Sequence, residues 1–174
     1  MLINNFKKIL LAIVFVGLSV GSVLAQSPII VPKATTQNIE GPKFIKDKLA
    51  IQTQDGKTHN FSIDVAITPE QMSHGMMFRT EMADDFGMLF VFGDEARRSF
   101  FMKNTRIPLD MVFTAKDGTI RHIHPNAIPG DLSSISPDVQ AFAVLEIKGG
   151  MAQKLDLKNG DKLVHSFFES AEKQ

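Results

Sequence analysis

The chain has 174 residues, 44% apolar and 22% charged, the balance of one globular domain around a single core and far from the signature of a disordered chain. Nineteen basic and nineteen acidic residues cancel to a formal charge of zero, so no global field holds a polyanion and nucleic acid is not expected as a partner. The absence of cysteine removes disulfides, thiolate catalysis and cysteine-held metals, and all 14 aromatic residues are Phe.

Residues 1–25 read as a signal peptide. Lys7 and Lys8 form a positive start, Ile9 to Val20 an apolar stretch, and Val23-Leu24-Ala25 a small-residue cleavage site, with processing expected after Ala25. The alternative is a retained anchor, because the apolar stretch taken from Ile9 to Ala25, 17 residues, lies at the short limit for spanning a bilayer. Gln26 follows the cleavage site, so lipoprotein processing has no cysteine acceptor. The expected location is the periplasm or cell envelope, with membrane contact only through this signal. Residues 26–46 are rich in Pro, Thr, Gln and Lys without periodicity and read as a flexible leader.

A single domain is expected over residues 47–170, followed by a short tail, 171–174. Leu49, Ile51 and Thr53 alternate, Asp55-Gly56 supplies a turn, and Phe61, Ile63 and Val65 alternate again, which predicts an opening β-hairpin. Thr68-Pro69-Glu70-Gln71 combines an N-cap, a proline at the first helical position and a capping-box glutamine, so a short helix is predicted from Pro69 to about Met76. Gly87 to Phe92 is an apolar run of strand length, and Phe100-Phe101-Met102 a shorter one; both are expected to be buried. Leu109, Met111 and Phe113 alternate up to Asp117-Gly118, the strongest hairpin signal in the chain, with a return strand from Ile120 to Pro125. Ala141 to Ile147 and Lys162 to Phe168 complete seven or eight strands, and between them Met151 to about Leu157 reads as a helical turn. The expected class is mainly β, a small sandwich or jelly-roll-like domain with one or two short helices.

Several of these segments together resemble the domain of unknown function 192 family: Thr68 to Gln71, Gly75 to Arg79, Gly87 to Phe92, Phe101 to Thr105, Ile107 to Asp110, Asp117-Gly118, Val144 to Glu146 and Gly160-Asp161. The resemblance spans roughly residues 50–166 and implies a compact β-sandwich or jelly-roll-like domain without a settled activity. Phe101 departs from the family pattern, which usually has Trp before Met-Lys-Asn-Thr.

Polar residues gather at Lys103, Asn104 and Thr105, where an apolar strand ends, and Asp110 follows closely; turn hydrogen bonding or a pairing of Asp110 with Lys103 or Arg79 is the structural alternative. Arg79 offers a fork for a carboxylate or phosphate, or a salt bridge to Glu81, Asp84 or Asp85. His122 and His124 share a strand face, but the Asp117-Gly118 register sets Phe113 opposite His122 and Met111 opposite His124, so a metal is not expected; Asp110 then points the other way. Ile123-His124 with Ala127 and Pro129 fits a pattern recurrent among the bacterial relatives. Glu146 is placed on one strand face with Phe142 and Val144, where burial raises a carboxyl toward the range of a general acid. The methionines read as adaptable core filling. Nucleophile, phosphate-loop and zinc-helix motifs are absent, and no cofactor is expected. The candidate ligand-binding set is therefore Arg79, Lys103, Asn104, Thr105, Asp110, His124 and Glu146, in an expected monomer that binds a small molecule or envelope polymer without catalysis. The alternatives are a hydrolase-like enzyme using Asp110, Glu146 or His124, and a structural or protein-interaction domain.

Overall fold

The structure, a computed structural model, describes residues 41–171, with side chains through Phe168. These belong to one unit, residues 39–174. The expected signal peptide and most of the expected leader lie outside the described residues.

The domain is mainly β. Its elements are β1 (Ile45–Gln52), β2 (Thr58–Ala66), α1 (Pro69–His74), β3 (Phe86–Arg97), β4 (Leu109–Thr114), β5 (Ile120–Ala127), β6 (Gln140–Lys148), α2 (Met151–Lys154), β7 (Lys162–Val164) and α3 (Ser166–Ala171). All seven strands join one sheet in the order β5-β4-β6-β3-β2-β1-β7. That sheet curls until its two ends meet: Thr119 bridges to Lys162, and Leu163 N–H donates to the Gly118 carbonyl at 2.9 Å. Gly118 has φ +85°, and a Cβ there would run into the Leu163 carbonyl, so the tight Asp117-Gly118 turn also makes the closure possible. The two walls that a sandwich draws from two sheets are here two stretches of one curled sheet.

Local signals act where they were read. The alternation of Leu49 and Ile51 with Phe61 and Ile63 sets the β1–β2 register, Leu49 facing Phe61. Thr68 caps α1: Gln71 N–H donates to Thr68 Oγ1 at 3.2 Å, and Thr68 N–H donates back to Gln71 Oε1 at 3.0 Å. Two stretches depart from expectation. Lys162 to Phe168 is strand only through Val164; Ser166 then opens α3, and Phe168 packs on Phe142 from that helix. In Phe100-Phe101-Met102 only Phe100 makes a bridge, to Ile135, and Phe101 is 50% exposed where burial was expected.

The core has two parts, one on each side of the sheet. Leu49, Ile63, Val112, Leu145 and Ile147 pack with α2 and Phe168 on one side, while Met88, Met111, Phe113, Val144, Met76 and Met102 pack on the other. The topology explains why the second side is hollowed. β2 and β3 are parallel neighbours, so the chain between them must cross over the sheet, and that crossover carries α1 and Met76 onto the Met88 side.

Candidate functional site

A pocket of about 270 Å³ lies between this crossover and the sheet. Met72, Ser73 and His74 come from α1, Gly75, Met76 and Met77 from the turn after it, and Phe90 and Phe92 from β3. Ser99, Phe100, Phe101 and Thr105 close another wall, and Glu146 of β6 is the only carboxyl among the described lining residues. The volume exceeds the roughly 150 Å³ of a dry protein cavity that takes up benzene, so a ligand of about ten non-hydrogen atoms fits.

Register explains how an acid comes to sit among methionines. Glu146 pairs with Met111 on β4 and Met88 on β3; one strand further, Met111 pairs with His124 and Met88 with Asp64. The row across the sheet therefore reads His124, Met111, Glu146, Met88, Asp64. Glu146 is 4% exposed, and its Oε2 has no hydrogen-bond partner. Burial alone pushes its carboxyl up to about 8, so it is mostly protonated at neutral pH. Val144 shares its side of the sheet, as expected. Phe142 does not: it packs with the other core part, past a register shift where β3 and β6 diverge.

Two of the seven sequence candidates, Thr105 and Glu146, line this pocket. Asn104 stands beside it: its Nδ2 lies 3.9 Å from Met77 Sδ, and its carbonyl accepts from Phe78 N–H at 2.9 Å. That bond ties together two residues held at positive φ, Phe78 at 66° and Asn104 at 55°. Lys103 is exposed and its carbonyl accepts from Thr105 Oγ1 at 3.3 Å.

Asp110 and Arg79 serve elsewhere. Asp110 is one residue out of step with the row that holds Glu146, so it faces the opposite side of the sheet. There it accepts three backbone N–H groups, from Asn126 at 2.8 Å, Gly150 at 3.0 Å and Ala152 at 2.7 Å, and pairs with neither Lys103 nor Arg79. A cleft between Asp110 and Glu146, which a two-carboxylate hydrolase needs, is thereby ruled out. Arg79 pairs with none of Glu81, Asp84 and Asp85; it bonds the buried Asp64, which also holds Lys46, and its guanidinium lies over the Phe86 ring at 5.0 Å. Asp84 is taken instead by Lys148 and Lys154, each at 2.7 Å.

His122 and His124 do share a face, with Phe113 and Met111 opposite them. Burial, then the neighbouring His124, hold the His122 imidazole below its ordinary range. No group of three or more ligating His, Asp or Glu side chains occurs among the described residues.

The pocket residues that sequence reasoning missed are the methionines and phenylalanines, whose apolar runs signal only burial. The four-residue spacing of Met72 and Met76 was the available hint, since over the helix expected to run to about Met76 it puts both on one side, although α1 ends at His74 and Met76 follows it in the turn.

The family model DUF192, Uncharacterized ACR, matches residues 50–165. A protein from Sinorhizobium meliloti 1021, provisionally described as a transcription regulator, is 39% identical with a TM-score of 0.71, over 72% of this chain and 98% of that one. A protein of unknown function from Novosphingobium aromaticivorans DSM 12444 is 36% identical with a TM-score of 0.66, over 69% of this chain and 85% of that one. No curated protein matches the sequence.

Proposed function

This chain belongs to the domain of unknown function 192 family, which is uncharacterised, and from that premise we propose that it is an exported, non-catalytic binding module for a small, largely apolar ligand held in the pocket under α1. The carrying observation is the buried Glu146 carboxyl with an unpartnered oxygen in an otherwise apolar lining. An unpaired buried carboxyl costs the fold on the order of 2 kcal/mol or more, and a methionine or leucine of similar size costs nothing of the kind. A residue that burdens the fold in this way is supported by what it does when a ligand arrives. The export part of the reading is supported by Lys7, Lys8, the apolar stretch from Ile9 and the Ala25 site.

The methionines provide the test. With the methionine methyls labelled for NMR, fragments of about ten heavy atoms are titrated into the protein. Binding in the pocket moves the Met72 and Met77 signals and leaves Met151, in the other core part, in place. If no fragment moves them, or every methyl moves together, the reading fails. The export part is checked separately by the mass of the protein recovered from a periplasmic fraction, expected to begin at Gln26.

A further inference from the structure

Apart from the His74 imidazole and three hydroxyls, the side chains lining the pocket share one electrical character. Phe90, Phe92, Phe100 and Phe101 present rings whose faces are negative, Met72, Met76 and Met77 present thioether sulfurs that act as weak acceptors, and Glu146 presents a carboxyl. No Lys or Arg is among the described lining residues. The Arg98 guanidinium lies over the Phe92 ring at 4.1 Å and is already engaged by Asp94 at 2.7 Å. An anion entering this pocket would meet the hydroxyls of Ser73, Ser99 and Thr105 and the His74 imidazole, with no fixed positive charge among the described lining residues. A purely apolar molecule would leave the Glu146 oxygen as unpaired as before.

We propose that the pocket takes a small organic cation, an alkyl- or arylammonium or a quaternary ammonium compound, with its charged nitrogen against Glu146 and its apolar body among the Phe and Met side chains. The inference rests on the pocket being a binding site, as argued above, and adds the class of ligand. Rings and a carboxylate facing one desolvated site are the means by which proteins hold alkylated ammonium groups.

The charged and titratable neighbours of Glu146 leave this role open to it. Met111 and Met88 flank it on the adjacent strands, with His124 and Asp64 one strand beyond; Asp64 is neutralised by Arg79 and Lys46. His74 stands in the pocket wall with its ring between Phe44 and Phe78, at 6.3 and 5.9 Å. None of them hydrogen-bonds Glu146 Oε2. Because burial holds the carboxyl protonated up to about pH 8, a bound cation must displace that proton. Cation affinity therefore rises with pH toward that value and levels off above it. A neutral ligand that accepts a hydrogen bond from the protonated acid follows the opposite course.

The probes are choline, benzyltrimethylammonium and neohexyl alcohol, the uncharged carbon isostere of choline, titrated calorimetrically into the full chain from about pH 6 to about pH 9. Fixed positive charge keeps the probe from titrating. The expected result is that the cations bind at least about tenfold tighter than the alcohol, with affinity rising through neutral pH. Glu146→Gln, which keeps the shape, should lower cation affinity about tenfold and flatten the pH dependence. Should that variant fail to fold, Phe101→Leu at the exposed rim is the substitute: it should weaken the cations a few-fold and leave the alcohol unchanged. Equal affinity for choline and the alcohol, or an unaltered cation affinity in Glu146→Gln, overturns the proposal. If the alcohol binds and moves the Met72 and Met77 methyls while the cations do not, the binding reading stands and the cation is wrong; if none of the probes and no fragment moves those methyls, both fall.

Discussion

Asp110 and Glu146 lie on neighbouring strands of one sheet, at 0% and 4% exposure, and their surroundings differ in almost every other respect. Asp110 faces the side covered by α2, and its two oxygens collect three backbone N–H groups from the β5 end and the start of α2. Glu146, a single register step away and on the opposite side, faces methionines and a pocket, with one oxygen unpartnered. Burial by itself therefore does not mark a functional acid. What separates the two is whether the fold supplies donors: it closes around Asp110 as a clamp on the chain, and it leaves Glu146 for something from outside.

The largest effect should come from breaking the clamp. Asp110→Ala strands three backbone donors that have no other partner in view, at about 1 to 3 kcal/mol each, so a loss on the order of 5 kcal/mol is expected, enough to unfold many domains of this size. Urea denaturation reads it directly. A loss under about 1 kcal/mol would mean that water reaches those N–H groups and that Asp110 is no clamp.

The second effect has the opposite sign and belongs to Glu146. Its carboxyl sits at about 8 in the folded protein against 4.5 ordinarily. Below 4.5 both folded and unfolded chains hold the proton and the group contributes no slope. Between 4.5 and about 8 the unfolded chain has released a proton that the folded chain keeps, so stability falls as pH rises, by about 1.4 kcal/mol per unit, and the loss is complete above 8. Glu146→Gln cannot titrate. The stability of the natural protein minus that of the variant should thus be level in acid, decline through neutral pH and level again, as denaturation at a series of pH values would show. A flat difference would mean that Glu146 has a partner or water in solution.

A smaller loss tests the pocket wall. Thr68→Ala removes the acceptor for Gln71 N–H and should cost about 1 kcal/mol. Since α1 carries Met72 and His74, the substitution should also broaden the Met72 methyl signal while Met151 stays sharp. Gln71 does more than the capping pattern announces: its Oε1 also accepts from Ile67 N–H at 3.0 Å, and its Nε2 donates to the Lys43 carbonyl at 2.8 Å.

That last bond shows where sequence reading stops. Strand alternation, the Asp-Gly turns and the capping box are local, period-two or nearest-neighbour signals, and they placed β1, β2, α1, β4, β5 and β6 and even set Met111 opposite His124. The site depended on non-local facts. That Asp64 rather than Asp84 holds Arg79 follows from the parallel β2–β3 pairing, which no local pattern encodes. That Phe101 stays exposed, although its run reads as a buried strand, follows from Phe100 bridging to Ile135 and Met102 N–H bonding the Asp131 carbonyl at 2.8 Å, which turns the residue between them outward. The alternation along β6 failed at Phe142 for the same reason: the register shift opposite it lies on β3, not in its own segment. Glu146 alone was legible as both buried and raised, because its apolar neighbours on the strand sufficed to say so.

Phe101 also gives the finest test of the contrast between a satisfied and an unsatisfied acid. It lines the pocket while half exposed, in the position where the family pattern has Trp, so Phe101→Trp can be made with little risk to the core. An indole face attracts a cation more strongly than a phenyl face, and at an exposed rim the difference is a fraction of a kcal/mol, or about twofold to threefold in affinity. If Glu146 awaits a cation, the substitution should tighten choline by about that factor and leave neohexyl alcohol unchanged; the added Trp also makes the titration visible by fluorescence. Equal tightening of both would assign the gain to apolar contact, leaving the pocket hydrophobic in its preference and Glu146 a hydrogen-bond donor within it.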